Sequence, residues 1–119
     1  MAELKKVGYI GLGNIGKPSA RRLIGDVFDA HVFDLYRPAV EELVAEGATG
    51  CDSVAEIASH CSHIGICVRD DQQVEQLLYG DDGILASAAR GTIVAIHSTV
   101  TQASLMKWAA HADAKGISL

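Results

Sequence analysis

Three glycines near the start of the chain, Gly11, Gly13 and Gly16, carry the clearest chemical signal. They lie between an apolar run, Val7-Gly8-Tyr9-Ile10, and a stretch that reads as the start of a helix. The chemistry this spacing suits is the holding of a pyrophosphate. Gly11 permits a tight turn out of the strand. Gly13 leaves the backbone bare for the phosphates, and Gly16 lets the helix pack close to the strand. The helix start then offers unpaired N–H groups and the positive end of its dipole. Asp34 ends the next apolar run, near the position about 20 residues on where this fingerprint expects an acid. A carboxylate there can accept the two hydroxyls of an adenosine ribose and repels a 2′-phosphate. The expected cofactor is NAD, with NADP less favoured; Arg37 stands nearby and can pair with a 2′-phosphate.

Other reactive residues group less well. His97-Ser98-Thr99 follows an apolar strand at the edge where open α/β sheets bind ligands. His97 and Ser98 are adjacent in sequence, and no acid is placed to complete a hydrolytic triad. Ser-type hydrolysis is therefore not expected. His60-Cys61-x-His63-x-x-x-Cys67 has the look of a metal cluster. It runs from a helix end into a buried strand, so no metal site is expected, and Cys67 reads as core. Cys51, Cys61 and Cys67 form no CxxC and read as reduced, mostly buried thiols. Arg21 and Arg22 read as a solvated face, and Gly80-Asp81-Asp82-Gly83 as a turn lacking calcium-loop spacing.

These residues need a frame of alternating strands and helices. The hydrophobic pattern predicts strands over 4–10, 30–33, 48–51, 63–68 and 91–96. It predicts helices over 14–24, 38–46, 53–59, 72–79 and 102–114, with a short helical turn over 84–90. Val40, Leu43 and Val44 are expected to face inward on the second long helix, and Gly47 to cap it. Residues 117–119 open a sixth strand that is cut short. The fold class is therefore α/β, a Rossmann-type doubly wound parallel sheet in the order 3-2-1-4-5-6.

Composition agrees with that frame. Apolar residues make up 49 % and aromatics only 5 %, with 12 Gly and 2 Pro, which suits aliphatic parallel strands under helices. The 119 residues form one domain, 1–119, short of the about 150 that six strand–helix steps of about 25 residues need. A net charge of −5 argues against nucleic acid or an anionic membrane as partner. No run is long enough to span a bilayer and no secretory signal is evident, so a cytoplasmic location is expected by default.

The segment Gly11-Leu12-Gly13-Asn14-Ile15-Gly16-Lys17-Pro18-Ser19-Ala20 resembles the Gly-Leu-Gly-x-Met-Gly-x-Pro-Met-Ala signature of the β-hydroxyacid dehydrogenase family. That family includes 3-hydroxyisobutyrate dehydrogenase and, more distantly, 6-phosphogluconate dehydrogenase. The likeness continues through 40–48 and through Ser98-Thr99-Val100, similar to the family's Ser-Thr segment. It implies that Gly11, Leu12, Gly13, Asn14, Ile15 and Gly16 cradle the pyrophosphate. Asp34, with Leu35 beside it, would hold the adenosine ribose. Val68 and Arg69 would lie along the cofactor by their backbone, with Gln73 as a polar contact. Thr99 would sit near the nicotinamide ribose and Ser98 near the substrate.

The departures are Ile15 for Met, Arg69 for Pro, which leaves that loop less fixed, and Thr101-Gln102 for Ser-Pro. The role of His97 stays open. The resemblance implies an NAD(P)-dependent dehydrogenase acting on a small 3-hydroxy acid or its semialdehyde. It places the family's catalytic lysine and its helical substrate and dimerisation domain outside residues 1–119, so this stretch alone is expected to be inactive. An imine-reductase-like relative and a non-catalytic dinucleotide sensor are the alternatives. A homo-oligomer is compatible with the family; Trp108 reads as core or subunit contact, and an apolar patch around the last helix, near Trp108, is expected to let the stretch by itself self-associate.

Overall fold

The computed structural model describes residues 4–119. Five parallel strands form one sheet: β1 (Lys5–Ile10), β2 (Phe28–Phe33), β3 (Thr49–Gly50), β4 (His63–Ile66) and β5 (Ile93–Ile96). Their order is β3-β2-β1-β4-β5. Tyr9 pairs in register with Val32 on one side and Gly65 on the other, and Gly65 pairs with Ala95. Ser118 makes a parallel bridge to Ile93, so the chain returns to the free side of β5 where a sixth strand is expected.

The helices are α1 (Gly16–Arg21), α2 (Arg37–Ala45), α3 (Val54–His60), α4 (Asp71–Leu78), α5 (Ile84–Ser87) and α6 (Gln102–Ala114). Alternation along the strands sends side chains to two cores. Ile10, Phe33, Ile64, Ile66 and Val94 meet Ile57, Leu78, Ile84 and Trp108 on one side. Tyr9, Ala30 and Val32 meet Ala20, Val40 and Leu43 on the other. On that second side α1 and α2 cover β1 and β2, whereas Ile93 on β5 is 43 % exposed and Ala95 is exposed too.

Side chains cap three helix starts. Ser53 Oγ accepts from Glu56 N, Asp70 Oδ1 from Gln73 N, and Thr101 Oγ1 from Ser104 N. Thr101 thus starts α6 without the family's proline, and its hydroxyl also donates to Asp71 Oδ2 at 2.8 Å.

Several expected bounds and faces need correction. The first helix is six residues, not eleven: Leu23 N and Ile24 N donate to Ala20 O and Arg21 O, tightening the end into i→i−3 turns. Val44 is 44 % exposed, because the inward stripe of α2 is Ala39, Val40 and Leu43. The fourth strand ends at Ile66, two residues early, as the chain turns into the loop that carries Val68 and Arg69. Trp108 is fully buried, in keeping with its reading as core, and on α6 the exposed large apolar side chains are Leu105 and Met106.

Helices α4 and α6 are joined through carboxylates. Glu75 Oε1 accepts from Lys107 Nζ at 2.9 Å and from Trp108 Nε1 at 3.1 Å. The Lys107 ammonium, then the indole N–H, holds the Glu75 carboxyl below its ordinary value. Hydrogen bonds from Ser104, then Thr101, do the same for Asp71. Both pKa values are lower folded than unfolded. Their contribution is therefore complete above the unfolded values of about 4 and fades as pH falls through the folded ones. Urea midpoints should be level from pH 7 to about 5 and fall toward pH 3, with a smaller acid loss in Glu75→Gln. An equal loss in the variant would exclude Glu75 as a source.

Candidate functional site

The strands β1, β2, β4 and β5 all point their C-terminal ends at one cleft of about 720 Å³. The crossing from β1 to β4 is the switch point of an open parallel sheet, where such folds bind ligands. The cleft is lined by Gly11, Gly13, Asn14, Ile15, Gly16, Asp34, Leu35, Val68, Arg69, Gln73, Ser98 and Thr99. These are all the site residues expected from sequence except Leu12. The Leu12 side chain turns inward and is buried beside Tyr9 and Ala20. What Leu12 gives the site is its backbone N–H.

The three glycines differ in what a side chain would meet. Gly11 has φ +96°, and a Cβ there would collide with the Cys67 carbonyl. A Cβ on Gly16 would collide with the Gly11 carbonyl, so the return of the loop against its own start needs glycine. At Gly13 a Cβ would meet nothing within 4 Å, and the residue faces the open cleft. Ile15, at the N-cap of α1, has no side chain able to cap the helix; Lys17 N is taken by Gly13 O and Ser19 N by Ile15 O, and Pro18 has no N–H, so Gly16 N is the first-turn donor left for a ligand. A bare loop backbone over a roomy cleft fits a pyrophosphate.

Asp34 organises the other rim. Its Oδ2 accepts from Leu12 N at 2.6 Å, and its Oδ1 accepts from Tyr36 N at 2.8 Å. One carboxylate thus ties the glycine loop to the end of β2, and each oxygen keeps a second lone pair for a ligand hydroxyl. Leu35 and Tyr36 stand exposed beside it, Leu35 to 90 %, as an apolar wall. Arg37 does not face this rim. Its guanidinium donates to Cys51 O at 3.0 Å and lies 3.7 Å from Asp52. Arg21 and Lys17 are bound to Glu42, Arg21 also to Glu46, as a solvated face. Among the described residues, Arg69 is the only lysine or arginine lining the cleft.

The loop after β4 is tied down without proline. Val68 N donates to Ser98 Oγ at 2.8 Å, and Arg69 N donates to Gln73 Oε1 at 2.7 Å. Two expected ligand contacts, Ser98 and Gln73, therefore also set the shape of the loop between them. This corrects the expectation of a less fixed loop.

Sequence reasoning assigned no site role to several lining residues, Ile10, Phe33, Tyr36, Cys67, Gln76 and Leu77, and placed His97 at this edge with its role open. Strand alternation was the available signal for Cys67, which lies one residue past β4 and is half-buried, packed against the second core and lining the cleft. Cys51 and Cys61 are buried, and burial pushes their thiols up to about 11 and about 12. A thiol reagent at pH 8 should therefore modify one cysteine quickly, Cys67, and the other two only on unfolding. Rapid loss of all three thiols would contradict that placement. Among the described residues no group of three or more metal-binding side chains converges, and no helix is long and apolar enough to cross a membrane.

A parallel sheet in this order, a glycine turn at its switch point and an acid at the end of β2 define a Rossmann-type domain. Residues 6–119 match the family described as the NAD binding domain of 6-phosphogluconate dehydrogenase, and the chain belongs to that family. It is 40 % identical over 115 residues to an uncharacterized oxidoreductase of Mycobacterium tuberculosis, covering 97 % of this chain and 39 % of the relative. It is 35 % identical over 116 residues to an NAD-dependent L-serine dehydrogenase of Pseudomonas aeruginosa, covering 98 % and 39 %. The crystal structure of 3-hydroxyisobutyrate dehydrogenase from Salmonella typhimurium superposes with a TM-score of 0.88 at 31 % identity, covering 95 % and 39 %. Solved chains of the same fold include complexes with NADP+ and with NAD+. The chain spans about two-fifths of the length of the relatives it matches.

Proposed function

We propose that this chain holds NAD across the cleft, as the cofactor-binding part of an oxidoreductase that acts on a small 3-hydroxy acid or its semialdehyde. The observation that carries the reading is Asp34. Its carboxylate sits at the end of β2, fixed by Leu12 N and Tyr36 N, and the guanidinium that follows it in sequence, that of Arg37, is held at Cys51 O. An anion with no cation paired to it favours ribose hydroxyls over a 2′-phosphate. The NAD dependence named for the Pseudomonas aeruginosa relative agrees.

In this reading the adenosine half lies at Asp34, Leu35 and Tyr36. The pyrophosphate lies on the backbone of Gly11–Gly16, and the nicotinamide half runs to the ends of β4 and β5. There Val68 and Arg69 border it, Thr99 faces its ribose and Ser98 stands toward the substrate. When bound, the nicotinamide supplies hydride transfer. The residues of this chain bind and orient; none is placed as a general acid or base. We assign that proton transfer to a residue outside 1–119, and purified 1–119 is expected to turn over no hydroxy acid.

Calorimetric titration tests the cofactor choice. NADH should bind the chain at least about tenfold more tightly than NADPH, and Asp34→Asn should narrow the gap by removing the negative charge. Tighter binding of NADPH would overturn the NAD assignment.

A further inference from the structure

The hydroxyl of Tyr9 lies 2.8 Å from Nδ1 of His97, although β1 and β5 are separated in the sheet by β4. The contact depends on a gap. Gly65 is the β4 partner of Tyr9, and a Cβ at Gly65 would come within 2.8 Å of the Tyr9 ring and 3.5 Å of His97 Cε1. With no side chain there, the phenol lies across β4 and reaches the residue just past β5. The two rings are tilted at 46° with centroids 5.6 Å apart.

The direction of the bond goes with the tautomer of His97. Tyr9 is 2 % exposed, and its hydroxyl makes its short contact with His97 Nδ1, with the side chains of Ser19 and Cys67 also beside it. A buried hydroxyl gives its proton to an acceptor where one is in reach. With Nδ1 as that acceptor, the imidazole proton lies on Nε2. His97 is exposed and lines the cleft next to Ser98 and Thr99. Its Nε2 makes no hydrogen bond among the described residues.

We infer that His97 is a cofactor-contacting residue at the nicotinamide end, with Nε2–H as a donor to the carboxamide oxygen, and that Tyr9 is the positioning residue that fixes its ring and tautomer. The inference rests on the cofactor reading above. The sheet order supports the location: Asp34 marks one end of the cleft at β2, the glycine loop its middle at β1, and His97 the far end at β5.

The experiment compares NADH with ADP-ribose, which lacks the nicotinamide, on the chain as it is. His97→Ala should weaken NADH about tenfold and leave ADP-ribose unchanged, as expected for loss of one ligand hydrogen bond. His97→Gln, which restores a donor near the Nε2 position, should recover most of that loss. Tyr9→Phe keeps the packing and should weaken NADH about threefold, as a less well-held imidazole gives up part of the bond. Imidazole 15N shifts should show a proton on Nε2 in the parent chain and a mixture of tautomers in Tyr9→Phe. Equal NADH affinity in His97→Ala and parent overturns the inference while the cofactor reading stands, provided ADP-ribose binds. Equal losses for NADH and ADP-ribose overturn it too, since the residue would then be structural. Absence of binding by both ligands in the parent overturns the cofactor reading and this inference together.

Discussion

Gly13→Val should weaken NADH binding by about 100-fold or more, yet leave the thermal midpoint within about 2 °C of the parent. The reason is where its new atoms would go. Nothing of the protein stands within 4 Å of a Cβ at Gly13, so the fold gives up no packing. The added methyl groups occupy the cleft over the loop backbone, where the pyrophosphate is placed. About 3 kcal/mol of lost phosphate contacts corresponds to that fold-change, the worth of one or two hydrogen bonds to a charged group. The neighbouring glycines should behave oppositely. Gly16→Ala drives a methyl group into the Gly11 carbonyl, and Gly11→Ala adds strain at φ +96° to a clash with Cys67 O. Those two should lose stability along with binding. Thermal melts and calorimetry on all three variants separate the cases. Parent-like NADH affinity in Gly13→Val would remove the phosphates from this loop.

The largest effect on stability belongs to Trp108. Its side chain is fully buried among Leu78, Ile84 and Ile117, and its indole N–H donates to Glu75 at 3.1 Å. Trp108→Ala should cost about 3–5 kcal/mol through lost burial and the cavity left behind. A domain of this size is typically stable by about 5–15 kcal/mol, so the variant sits near the edge of folding. Trp108→Phe keeps much of the volume and should cost distinctly less, with the loss of the Glu75 bond contributing about 1 kcal/mol. Urea unfolding of both variants measures the difference. Equal midpoints for Trp108→Ala and parent would show that α6 is not packed as described.

The parts of the site that were legible in the sequence are those held by local geometry. The jobs of Gly11, Gly13 and Gly16 follow from their spacing, and Asp34 follows from its place after an apolar run. The span of α6, Gln102–Ala114, was readable from its apolar pattern and from Gly116 beyond it. What could not be read comes from contacts between distant elements. Leu12 looked like part of the cradle, but the turn that exposes its N–H sends its side chain to the core. Arg37 looked free to meet a 2′-phosphate, yet the return of the chain through β3 brings Cys51 O within its reach. Tyr9 and His97 are 88 residues apart, and only the sheet order with a glycine at 65 brings them together. Helix α1 was read too long because Leu23 and Ile24 continue its apolar stripe while the backbone has already tightened.

The central claim is that one dinucleotide spans the cleft from the end of β2 to the end of β5. A backbone amide NMR titration of the 15N-labelled chain with NADH tests it most directly. Shifts should move together, with a single dissociation constant, at Gly11–Gly16, at Asp34–Tyr36, at Val68 and Arg69, and at His97–Thr99. Shifts confined to other surfaces, or no shift at any of these four segments at saturating NADH, would contradict the account.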